Sequence, residues 1–170
     1  MQDADRARDQ AELGFLMQYL REQGVPAELL EPGGELPIGA LVVPLAKDER
    51  GRDRYLSCTF VPLDDEMENV RLLQLYSVVP VRWANGTREN VERLLHAVNG
   101  RTAVGHFGIK EDGEIHFRYV HCVPADVVLP REETLETIDL FHLVLNMFSG
   151  LIDGVASGEI GLKEALRALE

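Results

Sequence analysis

Five histidines and two cysteines are the residues here whose types could support metal or nucleophilic chemistry: His96, His106, His116, His121, His142, Cys58 and Cys122. Zinc sites typically space cysteine ligands about two to four residues apart and histidine ligands about three to five. His106 and His116 are ten residues apart, and as diagonal neighbours on the outer side of a hairpin they lack a third ligand. His96 borders an apolar stripe and is expected to cap the edge of a core. His121 and Cys122 are adjacent, so on a strand they project to opposite faces and cannot work as base and nucleophile. Both cysteines sit in strand-like apolar runs; without a secretory signal they are expected as reduced, buried thiols, with one disulfide between them as the alternative. The acidic pairs Asp64-Asp65 and Glu132-Glu133 fall in a polar loop and in the first turn of a helix, where negative charge is solvated or favoured by the dipole. The chain has no GxGxxG, GxxxxGK[ST] or HExxH pattern. Asn85-Gly86-Thr87 matches the glycosylation triplet, which a cytoplasmic chain does not use. The expectation is a protein with no catalytic, cofactor or metal site.

The elements that would position any site follow from periodicity. Leu13, Leu16, Met17 and Leu20 recur at helical spacing within a helix over 4–23, which Gly24 and Pro26 end. Glu31 to Pro37 reads as a loop. Ala40–Leu45 and Tyr55–Val61 read as strands joined by the charged turn 47–53, and an acidic loop leads to a third strand over Val70–Val81. Thr87 is the expected N-cap of a helix carrying Val91, Leu94, Leu95 and Val98, closed by Asn99-Gly100. The hairpin after it has a readable register. Setting Ile109 against Ile115 and Phe107 against Phe117 puts the apolar residues on one face and leaves Glu111, Asp112 and Gly113 as a three-residue loop with glycine in the left-handed position.

The longest helix is expected over about Arg131 to Ser157. Ile138, Phe141, Leu145, Phe148 and Ile152 form one stripe, and Leu140, Val144, Met147 and Leu151 form a second stripe beside it. Asp139, His142, Asn146, Ser149 and Asp153 take the remaining side, interrupted by Leu143. The apolar arc is about twice the ~100° that covers one sheet face. Leu140, Val144, Met147 and Leu151 are therefore the candidate partner-binding residues, with covering by the first or tail helix as the alternative. Gly150, Gly154 and Gly158 would allow close helix approach. Leu162, Ala165, Leu166 and Leu169 suggest a short amphipathic tail helix.

The element order is α-β-β-β-α-β-β-α. Hairpin-connected strands with helices between them predict an α+β fold: an antiparallel sheet of about five strands with helices packed on one face. One domain over 1–158 with a helical tail over 159–170 is the expected organisation. The 170 residues are 45% apolar and 27% charged, ordinary globular usage. Seventeen basic against 29 acidic residues leave a net charge of −12, which sets electrostatics against nucleic acid. The charged first ten residues lack the apolar core of a secretory signal, and the uninterrupted apolar runs are short for a membrane span. A cytoplasmic protein without nucleic-acid or membrane partners is expected.

The helix VERLLHAVNG, the hairpin VGHFGIKEDGEIHFRYV and the helix beginning LPREETLETIDLFHLVLNMF, together spanning Asn90 to Ile152, resemble the YbjN family. These are bacterial domains described as sensory transduction regulators, with a fold similar to type III secretion chaperones. The same element order extends loosely back to Ala11. The resemblance implies a non-enzymatic protein that binds a client or pairs as a homodimer, and it transfers no catalytic residue. An open sheet also offers edge strands to an extended client segment. A small-molecule sensor or enzyme, with His106, His116 and Arg118 converging on a pocket, is the alternative.

Overall fold

The computed structural model describes residues 2–33, 38–63, 67 and 69–170, with side chains from residue 5 onward. The acidic pair Asp64-Asp65 and part of the loop through Pro37 lie outside the described residues. The elements in chain order are α1 (Gln2–Glu22), β1 (Glu28–Leu30), β2 (Ala40–Leu45), β3 (Arg54–Val61), β4 (Val70–Val79), α2 (Arg88–Asn99), β5 (His106–Ile109), β6 (Ile115–Pro124), α3 (Arg131–Ala156) and α4 (Leu162–Ala168). The fold is α+β, and the strands pair antiparallel in the order β1-β2-β3-β4-β6-β5. The sixth strand is β1, which pairs Glu28 with Val42 and Leu30 with Ala40. Three residues are too few for a period-2 pattern to stand out. The edge strands β1 and β5 have three and four residues, and short edges limit unwanted pairing.

The chain forms two compact units. Unit 1 comprises residues 1–45, 55–76 and 120–138, and unit 2 comprises 46–54, 77–119 and 139–170. In unit 1, α1 lies on β1 and β2 and buries Leu13, Leu16 and Leu20 as its spacing requires. Gly24 takes a positive φ of 79° and stops the helix. The unit's sheet residues Leu41, Leu56, Cys58, Leu73 and Leu75 are fully buried.

In unit 2 the hairpin register is the expected one: Phe107 opposes Phe117 and Ile109 opposes Ile115. Gly113 has φ 90° at the end of the loop. The loop is tied down from outside, because Trp83 Nε1 donates to Gly113 O at 3.1 Å and Arg88 donates to the carbonyls of Lys110 and Glu111. Thr87 occupies the N-cap position of α2, but its hydroxyl does not cap the helix. Its one hydroxyl hydrogen is shared between the carbonyls of Ala84 and Ala156, each at 2.8 Å, and its backbone is helical (φ −89°, ψ −10°) rather than in the extended conformation that lets a capping oxygen accept from the first turn. Helix α4 packs on α2, and Arg101 Nε donates to Leu169 O at the end of the tail.

Candidate functional site: the outer face of helix α3

Within unit 2 the inner face of α3 is fixed by aromatic packing. Phe141 stacks on Phe117 at 4.7 Å between centroids, Phe117 on Phe107 at 4.5 Å, and Phe148 meets Phe107 edge-on at 6.0 Å. All five residues of the first stripe, Ile138, Phe141, Leu145, Phe148 and Ile152, are buried. By length and composition α3 could also cross a bilayer, but this stripe is core.

The polar side of α3 is not simply solvated. Asp153 is 3% exposed. It accepts hydrogen bonds from Arg50, from Arg52 Nη2 at 2.9 Å and from the Arg82 backbone N–H at 2.9 Å. Burial alone would raise its pKa, yet the Arg82 N–H and the two guanidiniums overcome this and hold the carboxyl below its ordinary value. One turn earlier, the buried Ser149 hydroxyl lies 3.5 Å from Arg54 Nη1, and Arg54 also donates twice to Ala46 O. The charged turn 46–53 and the start of β3 therefore clamp this side of the helix. Spacing alone cannot show that clamp, because the arginines lie about a hundred residues away in sequence.

The second stripe divides. Val144 is buried and Leu151 is half-buried, whereas Leu140 is 37% and Met147 61% exposed. Leu143, which the periodicity put on the polar side, is 58% exposed. It stands three residues after Leu140 and four before Met147, so the three share one outer face over two turns. The i, i+3, i+7 spacing was the available signal. Helix α4 leaves this face uncovered.

The histidines and cysteines fall elsewhere. His106 opposes Arg118 across the hairpin and its ring meets that of His116 edge-on at 6.4 Å, so His106, His116 and Arg118 are strand neighbours, as the register implies. Burial, aided by the charges of Lys110 and His106, lowers the pKa of His116. His96 is exposed in the last turn of α2 and caps no core edge, because Val91, Leu94, Leu95 and Val98 turn the opposite way into the interior. Among the described residues no group of three or more His, Cys, Asp or Glu side chains could hold a metal ion. Glu132 and Glu133 are exposed in the first turn of α3.

Both thiols are free, Cys58 buried and Cys122 exposed. The expectation of two buried cysteines is thus corrected at Cys122. Alternation in β6 turns Val123 inward and Cys122 out. Complete burial pushes the Cys58 thiol up to about 12, which disables it as a nucleophile at neutral pH. Thiol titration with an aromatic disulfide reagent should therefore count one reactive cysteine in the native protein and two in denaturant. Fast reaction of both thiols under native conditions would contradict this placement.

No family model matches the chain, and no curated protein matches it. Among solved structures it is similar to the crystal structure of YbjN from E. coli, at 13% identity over 81% of this chain and 87% of that chain, with a TM-score of 0.44.

Proposed function

We propose that this chain is a non-enzymatic protein-binding module that pairs with a second copy of itself through the outer face of α3 and serves regulation or client binding in a reducing, cytoplasmic setting. The observation that carries the reading is the row Leu140, Leu143 and Met147, left in solvent on a helix whose opposite face is core. Three aliphatic side chains on successive turns form a patch whose burial stabilises a complex at roughly 25 cal/mol per Å² of apolar area removed from water.

A second copy fits this face for two reasons. A helix stripe is self-complementary about a twofold axis, since the same residues supply both sides of the contact. The unit that carries the face is itself close to neutral, with 13 acidic and 12 basic residues. The buried carboxylate of the unit is committed to structure. The Asp153 carboxylate is saturated by arginine and backbone donors, so it offers no free base. His142 is shifted down by burial and by the Arg54 charge, and it lies on the flank of the helix away from the stripe.

The test is the mass in solution. Wild-type protein should run at twice the chain mass of 19.0 kDa, and Leu143→Asp with Met147→Asp should halve that mass while the far-ultraviolet circular dichroism is unchanged. Asp side chains at exposed positions change the folded monomer by only about 0.5 kcal/mol. A wild-type monomer at all concentrations, or a variant that stays dimeric, overturns the reading.

A further inference from the structure

An open sheet ends in strands whose outer backbone N–H and C=O groups lack a neighbour and can pair with another chain. In unit 2 that strand is β5, which lies at the end of the sheet order and pairs with β6. Along an antiparallel pair, residues that exchange both bonds with the neighbour alternate with residues whose N–H and C=O point away from it. Phe107 is of the second kind. Its N–H donates to Asn99 Oδ1 at 2.7 Å, and Asn99 Nδ2 donates to Phe107 O at 2.9 Å. Alternation turns the backbone groups of Ile109 to the same side.

One side chain therefore takes both backbone groups of one edge residue. A carboxamide carries the C=O and N–H of a peptide unit, and here it makes the two bonds that a residue of an added strand would make to Phe107. Asp at this position could accept but not donate, and Ala could do neither. The half-buried Asn99 is the last residue of α2, which packs against β5. The helix end fixes where the carboxamide sits. Gly100 N–H donates to His96 O at 3.3 Å and Arg101 N–H to Val98 O at 2.8 Å, so the backbone stays wound through Asn99. Thr102 Oγ1 lies 3.2 Å from Asn99 O and 3.3 Å from Gly105 O, bracing the turn that leads into β5. The Phe107 ring is buried on Phe117, which leaves the backbone as the part of this residue that a partner strand could use.

We infer that Asn99 is the guard of an interaction surface: its carboxamide holds the β5 edge closed to strand addition, and the strand it excludes is β5 of a second copy. The occupant follows from symmetry. About a twofold axis at Phe107, β5 runs antiparallel to its own copy, sets Phe107 against Phe107 and His106 against Gly108, and satisfies the outward groups of both chains. With Asn99 in the central position, that pairing is shut off and association is left to other surfaces. The edge is separate from the outer face of α3, so the inference stands or falls independently of self-pairing there.

The experiment starts from Leu143→Asp with Met147→Asp as the parent and reads mass by sedimentation. Asn99→Ala should double the mass of that parent. Adding His106→Lys, at an exposed position of β5, should return the parent mass, because a lysine on an edge strand blocks pairing. In the His106→Lys background, the Phe107 amide should exchange with solvent about tenfold faster with Asn99→Ala than with Asn99, as loss of its hydrogen bond requires. Asn99→Gln keeps an amide but overreaches by one methylene, and it should give the same results if alanine costs the fold. In the parent, scalar coupling across the hydrogen bond from Phe107 N to Asn99 Cγ should be visible. Variants of Asn99 that keep the parent mass overturn the guard, as does a Phe107 amide that exchanges equally fast with and without Asn99. A doubled mass that His106→Lys leaves intact places the contact on another surface and overturns the inference too.

Discussion

Phe141→Ala is expected to destabilise unit 2 by about 3–5 kcal/mol, whereas Leu143→Ala, two residues away on the same helix, should change the folded monomer by about 0.5 kcal/mol or less. Phe141 is wholly buried, and its ring stacks on that of Phe117, itself wholly buried. Truncation loses the transfer energy of the ring, leaves a cavity that close-packed aromatics cannot fill, and removes an aromatic pair. Leu143 is 58% exposed, so its truncation removes side-chain atoms that already meet water. Urea unfolding at a concentration where the protein is monomeric reads both values. Similar large losses at the two positions would show that Leu143 belongs to the core and would remove the basis for an open face on α3.

Glu12→Ala should be the most damaging polar substitution in unit 1, costing about 3–5 kcal/mol, the range for removing one member of a buried charge network. Glu12 is 5% exposed. It accepts from Arg8 Nε at 2.8 Å, Arg71 at 3.0 and 3.1 Å, and the Leu129 N–H at 2.8 Å. Among the described residues, removing it leaves Arg71 with Asp9 as its carboxylate partner and strips the acceptor from the buried Leu129 N–H.

The same network predicts a pH dependence. Burial raises the pKa of Glu12, but the bonds from Arg71, the Leu129 N–H and Arg8 outweigh it and bring the net value below the ordinary 4.5. A carboxyl depressed in the folded state contributes stability fully above its unfolded value and loses it as pH falls through the folded one. Asp9, bound to the same guanidinium, is shifted up because burial outweighs its hydrogen bond, so its contribution has the opposite sign. Glu12→Gln should flatten the acid limb of the stability profile below about pH 4.5. An unchanged limb would mean that the Glu12 network is not what protonation breaks.

Local pattern carried much of this fold. The hairpin register followed from Phe107, Ile109, Ile115 and Phe117, because only one pairing puts all four on one face. The inner stripe of α3 and the tail helix followed from periodicity. What escaped was long-range or very short. The three-residue β1 has too little pattern to read. The burial of Asp153 and Ser149 depends on arginines of the 46–54 segment, which no spacing along α3 reveals. Thr87 stands at the start of α2 as its type suggests, but its hydroxyl bonds to Ala84 O and to Ala156 O, the latter 69 residues away, and does not cap the helix. At the candidate site, Leu140 and Met147 of the expected stripe are exposed, Val144 turns inward, and Leu143, which interrupts the polar side, stands exposed beside them. A rotation of a few tens of degrees about the helix axis separates core from surface at such positions. That angle is set by packing against Phe107 and Phe117, not by the helix's own sequence.

The most direct test of self-pairing is a distance between two copies. A nitroxide placed by Asn146→Cys in a Cys122→Ser background sits at the margin of the stripe, on an exposed residue. Pulsed electron resonance should return a spin–spin distance of roughly 15–30 Å, as helices packed with axes about 8–10 Å apart require once the label arms are included. Absence of dipolar coupling in a sample of dimer mass would place the contact on another face and contradict the account.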